Sequence, residues 1–245
     1  MIKEKTPKNT ITAVRLGLTD YGSAWDLQRR IFDCRVAGTI GDVLLLNEHH
    51  HVYTIGKSGD QNHLLANSQE LTAKGMAVLS VDRGGDITYH GPGQLVAYPI
   101  FDLNGYGLDI HRYLRSLEEV IILTLAEYGI EARRDNEFTG VWVGSDKIAA
   151  IGVKVSRWVT MHGLAFNVNT DLSFFDRIIP CGIFDKGITS IERLTGKQVP
   201  MDEISVLLTE NFGQVFEADI AEQCAGDFMK SIDHSFTENQ GCLQA

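Results

Sequence analysis

No apolar run in this 245-residue sequence reaches the ~18 residues that a membrane-crossing helix needs. The opening MIKEKTPKNT is polar and basic with no apolar stretch behind it, so it does not read as a secretory signal. Cysteine is sparse. Cys34, Cys181, Cys224 and Cys242 stand far apart with no CxxC pair, which argues against a zinc knuckle and a disulfide scaffold. A reducing, cytoplasmic setting is the expectation. Basic excess is missing too, with 22 Lys and Arg against 32 Asp and Glu, which argues against nucleic acid as a partner. The acidity is local: residues 201–245 hold nine acidic residues and one lysine, and the body is close to neutral. No internal repeat, low-complexity run or GxxxxGK[ST] phosphate loop occurs.

What is present is an ordinary globular composition, 44% hydrophobic and 22% charged, in a chain long enough to bury a core. Alternation and apolar runs predict strands over residues 10–18, 42–47, 52–55, 76–81 and 95–101. Residues 21–36 read as an amphipathic helix with Cys34 near its apolar side, and 68–75 as a short one stopped by Gly75. A long helix starts from Asp109 as its cap, carries Tyr113, Leu117, Ile121 and Leu125 at helical spacing, and ends at Gly129. Strands resume over 131–134, 139–143, 147–156 and 159–168, the last two joined by a tight turn at Arg157–Trp158. Short and amphipathic helices are expected over 173–179 and 202–216. This order predicts an α+β fold: a single domain with a mixed, largely antiparallel sheet packed by helices. The domain is expected to occupy residues 1–216, and 217–245 to form an acidic, flexible tail.

Two places concentrate unusual chemistry. RGGDITYHGPGQ, Arg83 to Gln94, packs four glycines and a proline between strands and reads as the wall of a ligand pocket. Cys181 follows Pro180 and precedes Gly182 in a loop, where a thiol nucleophile could be approached closely. Its partner could be His90, His162, or a lysine of KIAAIGVK, Lys147 or Lys154. The small residues between those lysines would let a ligand chain run along the strand. Three consecutive histidines, His49 to His51, invite a metal reading. Neighbours on an extended chain point to opposite faces, however, so no metal is expected, and one of the three lining a pocket is.

RGGDITYHGPGQLVAYPI followed by KIAAIGVKVSRWVTMHGLAFNVNTDLSFFDRIIPCGI resembles the lipoyl(octanoyl) transferases, relatives of lipoate-protein ligases and of the biotin protein ligase catalytic domain. The resemblance spans about Glu48 to Ile191. It implies a biotin/lipoate protein ligase-like fold and transfer of an octanoyl group from octanoyl-acyl carrier protein to a lysine of a lipoyl domain. The acceptors implied are lipoyl domains of 2-oxoacid dehydrogenase E2 subunits and the glycine cleavage H protein. Neither a cofactor nor ATP is implied, and no membrane or nucleic acid. Carried over residue by residue, Cys181 bears the thioester and Lys147 is its catalytic partner. Substrate-binding positions are Arg83, Gly84, Gly85, Asp86, Ile87, Thr88, Tyr89 and His90, then Ala150, Ile151 and Gly152, then Gly163, Leu164 and Ala165. The sequence departs from the pattern at His50 and His51, where proline is common, and a differently shaped loop is expected there. Three other readings are an ATP-dependent lipoate or biotin ligase of the same fold, a non-catalytic module that binds acyl carrier protein or lipoyl domains, and a Cys/His hydrolase.

Overall fold

The computed structural model describes residues 9–179 and 187–242. Strand β1 (Thr10–Thr19) leads into helix α1 (Tyr21–Val36), whose first turn is closed by Asp20 accepting from the Ser23 N–H. Strands β2 (Asp42–His49) and β3 (Val52–Ile55), helix α2 (Ser68–Ala73) and strands β4 (Ala77–Ser80), β5 (Ile87–His90) and β6 (Gln94–Ile100) follow. Helix α3 (Ile110–Ala126) starts from Asp109, whose carboxylate accepts from the Arg112 N–H as expected. Then come strands β7 (Arg133–Arg134), β8 (Val141–Val143), β9 (Asp146–Ser156) and β10 (Val159–Asn167). Helices α4 (Ile191–Thr195) and α5 (Met201–Val215), strand β11 (Asp219–Gln223) and helix α6 (Ala225–Cys242) complete the order.

The main sheet runs β11-β1-β2-β6-β10-β9-β8-β7, parallel at β11-β1 and β1-β2 and antiparallel from β2 to β7. This is the expected α+β fold with a mixed sheet. Helices cover both faces, which explains why β2 carries the unbroken run VLLL. Leu44 and Leu46 pack with α3 and α5, and Val43 and Leu45 pack with α1. The turn between β9 and β10 places both Arg157 and Trp158 in the left-handed region, at φ 51° and 62°, as a two-residue hairpin of matching twist requires. A smaller sheet, β4-β3-β5, sits over a satellite core that includes Tyr53, Tyr89 and Phe174. No helix among the described residues is long and apolar enough to cross a membrane.

Three expectations change. The segment 217–245 is not a flexible tail where it is described: β11 extends the main sheet beside β1, with Thr10 opposite Asp219, and α6 lies over α1. Phe228 and Ile232, four residues apart and so on one helix face, are buried among Leu27 and Ile31. The acidic side chains lie around that narrow apolar stripe and hide it from a composition-based reading. Within the glycine-rich stretch, Ile87–His90 is a strand paired with β3, because four glycines still leave ITYH with strong β propensity. The helix expected over 173–179 is a 3-10 helix, Leu172–Arg177.

Candidate active site

Where β9 and β10 meet the glycine-rich stretch, they enclose a cavity of about 390 Å³. Its floor is backbone as much as side chain. The Gly84 N–H donates to the Val153 carbonyl at 2.9 Å, laying the Arg83–Gly85 segment directly on β9. A Cβ on Gly152 would come within 2.9 Å of the Gly84 oxygen, and one on Gly163 within 2.1 Å of the Ala97 oxygen. These two glycines therefore make room for neighbouring backbone, and the ligand space lies beside them. Ala150, Ile151, Leu164 and Ala165 give that space its apolar wall.

Lys147 lines the same cavity. Its backbone is fixed on both sides: its N–H donates to the Gly187 carbonyl at 2.9 Å, and its carbonyl accepts from the Thr189 N–H at 3.0 Å. The Nζ lies 4.7 Å from the Trp142 ring centroid, a cation–π contact. By strand register Lys147 stands near one end of the β9 wall, and Val153, paired with His162, stands near the other.

That far end is polar, with a buried histidine held by a partly exposed ion pair. His162 is buried in the left-handed region at φ 60°, and its Nε2 hydrogen-bonds the Asp82 carboxylate at 2.7 Å. Burial holds its pKa down to about 4, so the ring is neutral and Nε2 carries the proton. Burial opposes the Asp82 charge, but hydrogen bonds from Lys154 and His162 outweigh it and hold that carboxyl down to about 2. Tyr21 and Tyr98 close the wall. Burial raises Tyr21 to about 12 and Tyr98 further still, so both hydroxyls stay protonated. Behind Tyr98 lies His49, also held to about 4 by burial. The Thr19 carbonyl near its Nδ1 can only accept, so Nδ1 bears the proton and Nε2 accepts from the Tyr98 hydroxyl at 2.6 Å. His90, fully buried and held well below 6.5 by burial, bonds Gln94 at 2.8 Å.

The structure brings together Lys147, Ala150, Ile151, Gly152, Gly163, Leu164, Ala165 and, of the glycine-rich stretch, Arg83 to Thr88 and His90. Tyr89 is the exception. Alternation along β5 turns it to the opposite face, where it is fully buried against Phe174 at 4.8 Å and its hydroxyl meets His51 Nδ1 at 2.7 Å. None of the three consecutive histidines lines the cavity. His49 supports Tyr98 from behind, His50 is exposed, and His51 stacks on Phe174 at 4.5 Å. Among the described residues no group of three or more His, Cys, Asp or Glu is placed to hold a metal ion. Cys181 lies outside the described residues. Lining residues that sequence reasoning missed are Tyr21, Val96, Tyr98, Leu114 and the segment Glu137 to Thr139. Tyr21, Val96, Tyr98 and Leu114 sit in elements whose pattern is accounted for by packing, and Glu137 to Thr139 lie in the loop between β7 and β8, so nothing in the sequence marks them.

Against known proteins, the catalytic-domain model of the lipoyl protein ligases A and B matches residues 20–213. An octanoyltransferase from Flavobacterium johnsoniae is 50% identical over 222 residues, covering 84% of this chain and 96% of the relative. One from Caldicellulosiruptor saccharolyticus is 51% identical over 205 residues, covering 83% and 87%. A lipoate protein ligase structure from Thermoplasma acidophilum superimposes with a TM-score of 0.66 at 17% identity, covering 93% of this chain and 92% of that one. The glycine-rich wall, the β9–β10 floor and the lysine therefore lie within a matched region that takes in most of the protein, and this chain belongs to the lipoyl protein ligase A/B catalytic-domain family.

Proposed function

We propose that this protein moves an octanoyl group from octanoyl-acyl carrier protein onto the target lysine of lipoyl domains, through a thioester on Cys181. The observation that carries the reading is the cavity: an apolar slot with Lys147 near one end, in a chain half identical to octanoyltransferases. An eight-carbon chain buried at ~0.8 kcal/mol per CH₂ contributes about 5 kcal/mol to binding, enough to hold the acyl group while the carrier is exchanged.

In the first step the Cys181 thiolate attacks the octanoyl carbonyl, the pantetheine sulfur leaves and takes a proton from the Lys147 ammonium, and an acyl-enzyme with a neutral Lys147 amine remains. In the second, Lys147 accepts a proton from the incoming lysine amine, which attacks the thioester, and Cys181 leaves as thiolate. The first step exchanges one thioester for another and the second forms an amide, so neither calls for ATP. Lipoyl domains of 2-oxoacid dehydrogenase E2 subunits and the glycine cleavage H protein are the acceptors in this reading, and the cytoplasm is its setting.

The test is intact-mass measurement after mixing the protein with octanoyl-acyl carrier protein in the absence of ATP. An octanoyl-sized gain that maps to Cys181 and disappears on adding apo lipoyl domain is expected. Activity with free acid and ATP that survives Cys181→Ser would point instead to a ligase. Release of free octanoate would mean a hydrolase, and binding without an adduct a carrier module.

A further inference from the structure

Helix α3 buries a carboxylate that no part of the chemistry above uses. Glu118 is fully buried, and stability alone is a poor reason to keep it, because well-packed apolar residues commonly replace buried ion pairs at no loss. Its three partners point to another role. One oxygen accepts from Arg115 Nη1 at 2.7 Å and lies 3.4 Å from Arg134 Nε. The other accepts from the backbone N–H of Gly140 at 3.1 Å.

Gly140 is the link to the cavity. It sits at φ 133°, and a side chain begun there would meet the Ala149 oxygen at 2.7 Å and the Lys147 Cε and Cδ at 3.3 and 3.5 Å. Lys147 thus runs along Gly140 on its way to the Trp142 ring. The residues just before Gly140, Glu137 to Thr139, form the cavity wall on this side. They are tied down independently: Asp135 accepts from the Glu137 and Phe138 N–H groups, and Trp142 Nε1 donates to the Phe138 carbonyl at 3.3 Å. The hydrogen bond from Gly140 to Glu118 is buried, and Lys147 passes directly over Gly140.

We propose that Glu118 is a positioning residue for the acyl transfer: by holding the Gly140 N–H it sets where Lys147 and the 137–139 wall stand. The proposal rests on the reading that Lys147 accepts the proton. Charged groups flanking Lys147 are Glu137 on the cavity wall and Asp146 beside it on β9, with Glu118, Arg115 and Arg134 behind Gly140.

The experiment compares Glu118→Gln, Gly140→Ala and Lys147→Ala with the unaltered protein. The readouts are kcat, the KM for octanoyl-acyl carrier protein, the pH of half-maximal kcat, and melting temperature. The rate at which an amine-acylating reagent labels Lys147, resolved by peptide mass spectrometry, is an added readout that does not depend on turnover. For Glu118→Gln and Gly140→Ala, kcat should fall at least tenfold, KM should stay within twofold, and the pH midpoint and Lys147 labelling rate should both move. A lower melting temperature with an unchanged pH midpoint, kcat and labelling rate would mean that Glu118 is merely structural and would overturn the proposal. Full activity in Lys147→Ala would instead sink the lysine's proposed role, and the labelling rate would still test the brace. Should both principal variants fail to fold, Arg115→Gln, at a half-exposed position, carries the same test, with a two- to threefold fall in kcat and a labelling change of the same direction expected.

Discussion

Lowering the pH from 7.5 to 4.5 should strip this protein of a large part of its stability. His49 and His162 are 0% and 1% exposed, and burial holds both at about 4, against 6.5 for a free imidazole. The folded state therefore keeps them neutral while the unfolded chain protonates them as pH drops below 6.5. The unfolded state binds more protons throughout that window, so the stabilisation is complete above pH 6.5 and is lost as pH falls towards 4. From pH 7.5 to 4.5 each histidine should cost about 2.5 kcal/mol of stability, and the two together about 5. That is comparable with the whole stability of ~5–15 kcal/mol expected for a domain. His90, fully buried and also held low, acts in the same direction. Asp82, held to about 2, keeps its charge across the window and adds nothing there. Urea denaturation at pH 7.5, 6.5, 5.5 and 4.5 measures the loss. The variant His49→Gln, less stable at pH 7.5, should lose about 2.5 kcal/mol less over the same range. Free energies of unfolding that agree within ~1 kcal/mol from pH 7.5 to 4.5 would refute the assignment of these rings as neutral and buried.

Two further outcomes test the architecture. Ending the chain before Asp219 removes β11 and the buried Phe228 and Ile232, a loss of about 3–6 kcal/mol from those two side chains alone, and the melting temperature should fall by ~10 °C. An unchanged melting curve would show that α6 is not packed on α1. Gly163→Ala would push a Cβ to 2.1 Å from the Ala97 oxygen, forcing β10 from β6 at a cost of at least ~1–3 kcal/mol, read as a clear drop in melting temperature.

Much of the frame was legible because local chemistry and tertiary role agree. Asp109 caps α3 in sequence and in space, and Arg157–Trp158 sits where β9 turns into β10. The candidate site was legible in its glycines and in Lys147, but less so in why the glycines are there. Gly152 and Gly163 looked like space for a ligand, and they turn out to admit the backbones of Gly84 and Ala97. Tyr89 illustrates a limit of motif reading, since a motif names consecutive residues while a strand sends alternate ones to opposite faces. Tyr21 and Tyr98 reach the cavity only through the meeting of α1 with β6, which no local pattern encodes. The C-terminal segment was missed because β11 is a polar edge strand whose identity as a strand comes from its partner β1.

That pairing has a consequence in time. β1 is made about two hundred residues before its outer neighbour β11, an interval on the order of 10–40 s at ~5–20 residues per second. Throughout that interval one edge of β1 offers unpaired N–H and C=O groups to whatever strand arrives first. Arg15 stands on this strand, paired in the finished protein with Glu222 at 2.8 Å, and until Glu222 exists its charge is uncompensated by that partner. A lone charge on an open strand edge discourages pairing with the wrong chain, so the same arginine guards the edge during synthesis and fastens it afterwards.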